Sequence, residues 1–330
     1  QNGYLELFRI IDRDFFDYEG TIDEEMEEFI MRLKIDVKNR KRIFGKFYTM
    51  LLIGAHFGQI LKKPISFILS GKGKNEVDGE NNLIWETPYG MYIPHADWWS
   101  VYVISTIVNY CGSNLVAFTA VGSVITYQYI SEELLAEYAV VSKTLGSCVE
   151  RAERLYVLRK DETSWSASGK ELTMNDCLIR CLNLSVKHHL QVLRMTDMFK
   201  KLMNIPLFMV IFDGGIVLCI SAYLIISEDV SMNLKAPMPS VIAAEAILVL
   251  IFCYYGEKIT EASQNVGDSI YNNERWVQHS DLMRPYSLII KTFCDVPNEL
   301  NAGGFTPVNH NTFANVLSTA YSYIGFLLST

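Results

Sequence analysis

The sequence predicts an all-α protein that crosses a lipid bilayer several times. Three observations carry that reading: five separated apolar stretches of about span length, Lys and Arg concentrated beside alternate stretches, and aromatic rings crowded at one apolar–polar boundary. Composition alone does not decide the class. Half of the 330 residues are apolar, as in many soluble proteins. A net charge of −8 gives no electrostatic reason to expect nucleic-acid binding. The chain opens on Gln1 inside a charged amphipathic segment with no basic start, apolar core and cleavage site. No signal peptide is read there, and an upstream part is expected.

The clearest stretch is Ile205 to Ser227, interrupted only by Asp213, and Ala236 to Tyr255 holds only Glu245. Trp98 to Tyr129 is uncharged throughout and long enough to tilt or to run past the bilayer. Phe47 to Leu69 is broken by His56, Gln59, Lys62, Lys63 and Pro64, and Thr312 to Leu328 is short and rich in Ser, Thr and Asn but uncharged. The soluble alternative is a buried helical domain, but so many long apolar helices are rarer there than in a membrane. Arg32, Lys34, Lys38, Arg40, Lys41, Arg42 and Lys46 precede the first span and predict a cytoplasmic start. The loop Gly71 to Asp97 carries Glu76, Asp78, Glu80, Glu86 and Asp97 and reads as external, ordered by turns at Pro88, Gly90 and Pro94. Trp85, Tyr89, Tyr92, Trp98, Trp99 and Tyr102 cluster where that loop meets the second span. Alternation over five visible spans leaves the C-terminus outside.

These signals predict six regions: a cytoplasmic lead 1–46, two spans with an external loop at 47–129, cytoplasmic helices at 130–202, two spans at 203–256, cytoplasmic helices at 257–311 and a last span at 312–330. The first cytoplasmic block reads as helices Glu132 to Arg159 and Asn175 to Leu202, with Glu150 and Arg154 spaced for an i,i+4 pair. The second includes a helix from Ile259 to Ser280. Such helices suit either a self-contained bundle or a platform between subunits.

Chemistry for catalysis is not visible. No phosphate loop, dinucleotide fingerprint or zinc-protease motif is present, and no acid–base or nucleophile set converges, so no enzyme and no cofactor are predicted. Cys177, Cys181, His188 and His189 match no structural zinc spacing; the histidines are expected to pack and hydrogen-bond inside the cytoplasmic helices, with no metal. None of the seven cysteines falls in a predicted external loop, which argues against disulfides. Asp213 and Glu245 are costly at membrane depth. Asp213 is read as an intramolecular contact in preference to a ligand or ion-path charge, and Gly214 and Gly215 beside it permit close helix approach.

In the last span Asn315, Thr319, Ser322, Phe326 and Ser329 fall in one stripe, with Val316, Leu317, Ala320, Ile324 and Leu327 opposite. An uncharged polar stripe suits a helix–helix contact or a water-filled lumen shared among several subunits. In a lumen, Phe326 is the one bulky apolar side chain that could gate by dewetting.

The end of the fourth visible span reads Tyr255-Gly256-Glu257-Lys258-Ile259-Thr260-Glu261-Ala262-Ser263, followed by Tyr271 and Trp276. The tail reads Met283-Arg284-Pro285, Ala302-Gly303-Gly304-Phe305, Thr312-Phe313 and Ala320-Tyr321-Ser322-Tyr323. In that order these resemble the C-terminal signature of insect odorant receptors, with weaker likeness at Pro88-Tyr89-Gly90 and Lys187-His188-His189. The resemblance implies seven spans with inverted topology, two of them upstream of Gln1, a plasma-membrane location and an external C-terminus. It implies a tetrameric, odorant-gated, non-selective cation channel in which this chain is a tuning subunit beside a shared co-receptor. The last helix would line the pore, and the cytoplasmic helices would form the inter-subunit anchor. The family's gate position is typically aliphatic, so Phe326 departs from it, and a second gate position falls near the polar Thr330.

The resemblance also places a pocket for a small volatile odorant among outer halves of spans. By helical spacing its walls would include Gly54, Phe57, Gly58 and Leu61 from the first visible span, Tyr102, Val103, Thr106 and Tyr110 from the second, and Ala244, Ile247 and Leu248 from the fourth. Lipid contact or core packing is the competing role for each. Two other functions compete: a receptor signalling through a cytoplasmic partner, and a secondary transporter, which predicts inverted repeats that the sequence does not display.

Overall fold

The structure, a computed structural model, describes residues 16–70, 76–77, 83–84, 99–160, 173–228, 230, 232–272 and 275–329. Its long helices are α1 (Glu24–Ser70), α2 (Trp99–Gly146), α3 (Cys148–Lys160), α4 (Met174–Ile226), α5 (Met238–Ser269), α6 (Ser280–Cys294) and α7 (His310–Ser329). Two short antiparallel pairs complete them: β1 (Glu76–Val77) with β2 (Leu83–Ile84), and β3 (Asn301–Ala302) with β4 (Thr306–Pro307). The chain divides into two compact units, Lys38–Tyr129 and Gln1–Val37 with Ile130–Thr330.

Several helices run much further than a bilayer requires. The 53 residues of α4 make a rod of about 80 Å, against about 30 Å of hydrocarbon. This corrects the predicted breaks. The helix read at Asn175 to Leu202 and the span read at Ile205 to Ser227 are one helix, with Pro206 inside it. The span at Ala236 to Tyr255 continues through the predicted helix start at Ile259 as far as Ser269, before two short turns lead to α6. A helix leaving lipid keeps its backbone hydrogen bonds, so a change from apolar to charged composition is no reason to stop. Conversely, the helix read as continuous from Glu132 to Arg159 is divided at Ser147. The division is only a kink: Ser147 N–H still donates to the Lys143 carbonyl and Arg151 N–H to that of Ser147, each at 3.0 Å. Gly146 sits there because the Ser269 carbonyl lies 3.2 Å from where a Cβ would project.

Among the described residues, three helices are long and apolar enough to cross a membrane, Val103–Gly146, Met174–Ile226 and Met238–Asn272. On α4 the apolar segment turns Ile205, Met209, Phe212, Ile216 and Ile220 outward and buries Leu207, Gly214, Leu218 and Ser221. Such a stripe would be an aggregation surface in water and is the expected lipid-facing side of a span. Polar side chains in the apolar part of α2 bond to carbonyls of their own helix: Asn114 Nδ2 donates to Tyr110 O and Thr119 Oγ1 to Leu115 O, both at 2.7 Å. That removes the cost of an unpaired hydroxyl or amide in hydrocarbon. The close approach expected near Asp213 is made by Gly214, whose missing Cβ would lie 2.8 Å from Val249 Cγ2 and 3.0 Å from Glu245 Oε1; a Cβ on Gly215 would meet nothing. Asp213 itself is exposed.

The charged half of α4 is buried in a different way. Residues 16–22, α2, α3 and α4 surround Arg151, which is 2% exposed. Its Nε donates to Thr21 O at 3.1 Å, Nη2 to Thr21 Oγ1 at 2.7 Å, and Nη1 to Thr144 O at 3.0 Å and Ser185 Oγ at 3.2 Å. The guanidinium lies 4.9 Å from the Tyr18 ring centroid. Tyr18 Oη meets Thr144 Oγ1 at 3.0 Å and His188 Nδ1 at 2.6 Å, and His188 Nε2 meets Glu137 Oε2 at 2.7 Å. Thus His188 is hydrogen-bonded at both ring nitrogens inside the helical core. His189, also buried, faces Cys294 Sγ at 3.9 Å. Burial and the neighbouring His188 push its imidazole down to about 4, so it is held neutral. Arg154, spaced for a pair with Glu150, makes an ion pair with Asp23.

Candidate functional site

The last helix, α7, is apolar on average, yet its polar stripe is turned away from the rest of the chain. Asn315, Thr319 and Ser322 are exposed and Phe326 is 62% exposed. Ala320 is buried and Val316 and Ile324 are half-buried on the opposite side, while Leu317 is 38% exposed. The side chains of Ser329 and Leu327 lie outside the described residues, as does Thr330. The outward surface is wider than the stripe: Tyr321 and Tyr323 flank it at 79% and 50% exposure. Those tyrosines entered the sequence reading only as part of a signature.

The base of α7 is held firmly. Asn309 Oδ1 accepts the Thr312 N–H at 3.0 Å, a side-chain cap of the first turn, and Thr312 Oγ1 donates to the Pro307 carbonyl at 2.5 Å. Glu257 Oε2 on α5 accepts the His310 backbone N–H at 2.8 Å and also contacts His310 Nδ1. The preceding Gly256 lies so close to the loop that a Cβ would be 2.2 Å from the Val308 carbonyl oxygen. On the other flank Tyr255 Oη donates to Glu132 Oε1 of α2 at 2.8 Å. Sequence reading had these three residues in a signature without a role. Their signal was three adjacent residues of different chemistry, which on a helix face three directions.

The nominated ligand contacts are divided between the two units. In the first, Gly54 is exposed, Val103 is half-buried and Tyr110 is 39% exposed. The side chains of Phe57, Gly58, Leu61, Tyr102 and Thr106 lie outside the described residues. In the second, Ala244 and Ile247 are exposed on α5, Ile247 at 53%, and Leu248 is half-buried. Among the described residues no group of three His, Cys, Asp or Glu is arranged to hold a metal ion.

A family model described as 7tm Odorant receptor matches residues 12–321. The chain belongs to the insect odorant receptor family. This is a family of membrane receptors, not of enzymes. Among its relatives, odorant receptor 85f of Drosophila melanogaster is 31% identical over 87 residues, 26% of this chain and 22% of that protein. Odorant receptor 85b of the same fly is 21% identical over 244 residues, 73% of this chain and 56% of that protein. The matched stretches thus cover from 22% to 56% of the length of these curated odorant receptors. The fold agrees with that of the insect olfactory receptor OR5 from Machilis hrabei solved with eugenol: TM-score 0.72 at 14% identity, covering 99% of this chain and 74% of that one. A second solved structure of the same receptor gives a TM-score of 0.66 at 14% identity, covering 99% of this chain and 74% of that one.

Proposed function

We propose that this chain is the odorant-tuned subunit of a ligand-gated, non-selective cation channel of the plasma membrane. It assembles with co-receptor subunits into a tetramer, and its C-terminus is extracellular. The observation that carries the reading is the stripe of α7, where Asn315, Thr319 and Ser322 face away from their own chain on an otherwise apolar helix. A hydroxyl can bond its own helix, as Thr119 does in α2, but a whole outward row of polar groups suits water or another subunit. Around a shared axis, the stripes with Ser329 would line a pore and Phe326 would form a dewetting constriction. The cytoplasmic helices, with the exposed apolar side of α6 that includes Leu288, Ile289 and Phe293, would form the inter-subunit anchor. A small volatile odorant would bind among Gly54, Phe57, Gly58 and Leu61, Tyr102, Val103, Thr106 and Tyr110, and Ala244, Ile247 and Leu248. A relative solved with eugenol supports a ligand of that size.

The test is whole-cell current from the full-length chain, with and without an insect co-receptor, under a panel of volatile esters, alcohols and aromatics. Odorant-evoked cation current only with the co-receptor is the expected result. Current without it would make the chain a self-sufficient channel. Silence in both, with surface expression confirmed, would favour a receptor coupled to a cytoplasmic partner, or a transporter.

A further inference from the structure

The three consecutive residues Tyr255, Gly256 and Glu257 touch three different neighbours of α5, and the base of α7 rests on two of them. A helix N-terminus leaves backbone N–H groups without intrahelical partners and attracts negative charge. In α7 one of those donors, at His310, is satisfied from outside its own segment, by the Glu257 carboxylate at 2.8 Å. The same oxygen contacts the imidazole of His310. The loop leading into α7 is seated on Gly256, where only a missing Cβ admits the Val308 carbonyl. Tyr255, 3% exposed, holds α5 to the buried Glu132 of α2. Displacement of α5 against α2 is thereby passed to the first residue of α7 by direct contacts and not through a flexible loop.

We infer that Tyr255-Gly256-Glu257 is a positioning strip for the last helix, with the contacts of Glu257 fixing the first residue of α7. His310 contacts the Glu257 carboxylate and makes a T-shaped contact with the Tyr254 ring, 6.2 Å away centroid to centroid. Lys258 beside them is paired with Glu261 at 2.7 Å. The gating consequence rests on the channel reading above; the docking itself does not.

Two measurements on the full-length chain with its co-receptor test this. In the purified complex, Glu257→Gln retains the side-chain shape and is expected to speed amide exchange across residues 308–314 by about fivefold, with Gly256→Ala larger. Glu261→Gln, one turn further along α5, leaves exchange there unchanged. In excised patches, Glu257→Gln is expected to shift the half-activating odorant concentration by about two- to fivefold, and Glu261→Gln to leave it unchanged. Unchanged exchange in Glu257→Gln, or an odorant response that Glu257→Gln and Glu261→Gln alter alike, overturns the inference. Altered exchange with no odorant current from the native complex leaves the docking standing and removes the channel reading instead. Should Gly256→Ala not reach the membrane, Glu257→Gln still decides.

Discussion

Two helical regions of this protein carry polar side chains in rows, and they meet opposite fates. Around Arg151 the row is turned inward: Thr21, Thr144 and Ser185 accept the guanidinium donors, and Tyr18, His188 and Glu137 continue the chain of hydrogen bonds. On α7 the row is turned outward: Asn315, Thr319 and Ser322 are exposed beside the buried Ala320. Buried polar groups must be satisfied by the chain that buries them, so the first row specifies packing within one subunit. Outward polar groups on an apolar helix bond to their own backbone, as Asn114 and Thr119 do in α2, or to something outside the chain, so the second row is the one open to function or assembly. Deleting a member of each row should separate the two roles.

The largest effect is expected at Arg151. Arg151→Ala strands the Thr21 and Thr144 carbonyls and the Ser185 hydroxyl in the core, for about 3 to 5 kcal/mol. Thermal unfolding in detergent and surface expression should both collapse. Next is the pH response of His189, whose pKa falls on folding from 6.5 to about 4. The unfolded chain binds the additional proton between those values, so stability is full above about 6.5 and falls as pH drops toward about 4. The loss is at most about 3 kcal/mol. His189→Gln should flatten that part of the unfolding profile; an unchanged slope would assign it to other groups. Gly214→Ala comes third: its Cβ meets Val249 and Glu245 at 3.0 Å or less, so overpacking of about 1 to 3 kcal/mol is expected. Gly215→Ala is the neutral control. Smallest in stability are Thr319→Val and Ser322→Ala, within about 0.5 kcal/mol. In the same recordings they should alter conductance or ion selectivity, and Phe326→Ala should raise leak. A large stability loss at Thr319 would instead move the stripe into the class of the Arg151 row.

Much of the architecture was legible from residue order. Apolar runs of span length located the membrane helices because the bilayer imposes a minimum length. Helix ends were not legible, since composition changes at a bilayer boundary without ending the hydrogen-bond ladder; α4 runs on even through Pro206, which has no N–H to give the Leu202 carbonyl. Spacing alone defined the α7 stripe, because a polar row on an apolar helix has a period of its own. The Arg151 cluster was not legible: its partners at Thr21, Thr144 and Ser185 come from three separate segments, and an arginine in a charged stretch looks like any solvated one.

The sequence by itself determined that the chain is helical, that it enters a membrane repeatedly and that its last helix has one polar side, because periodicity and run length are local properties. Tertiary structure alone decided which polar groups the chain satisfies internally and which it turns outward. It also decided that Gly256 and Glu257 hold the base of α7. Those outcomes depend on which backbone arrives at each side chain, and contacts across more than 50 residues, such as Glu257 with His310, leave no local period to read.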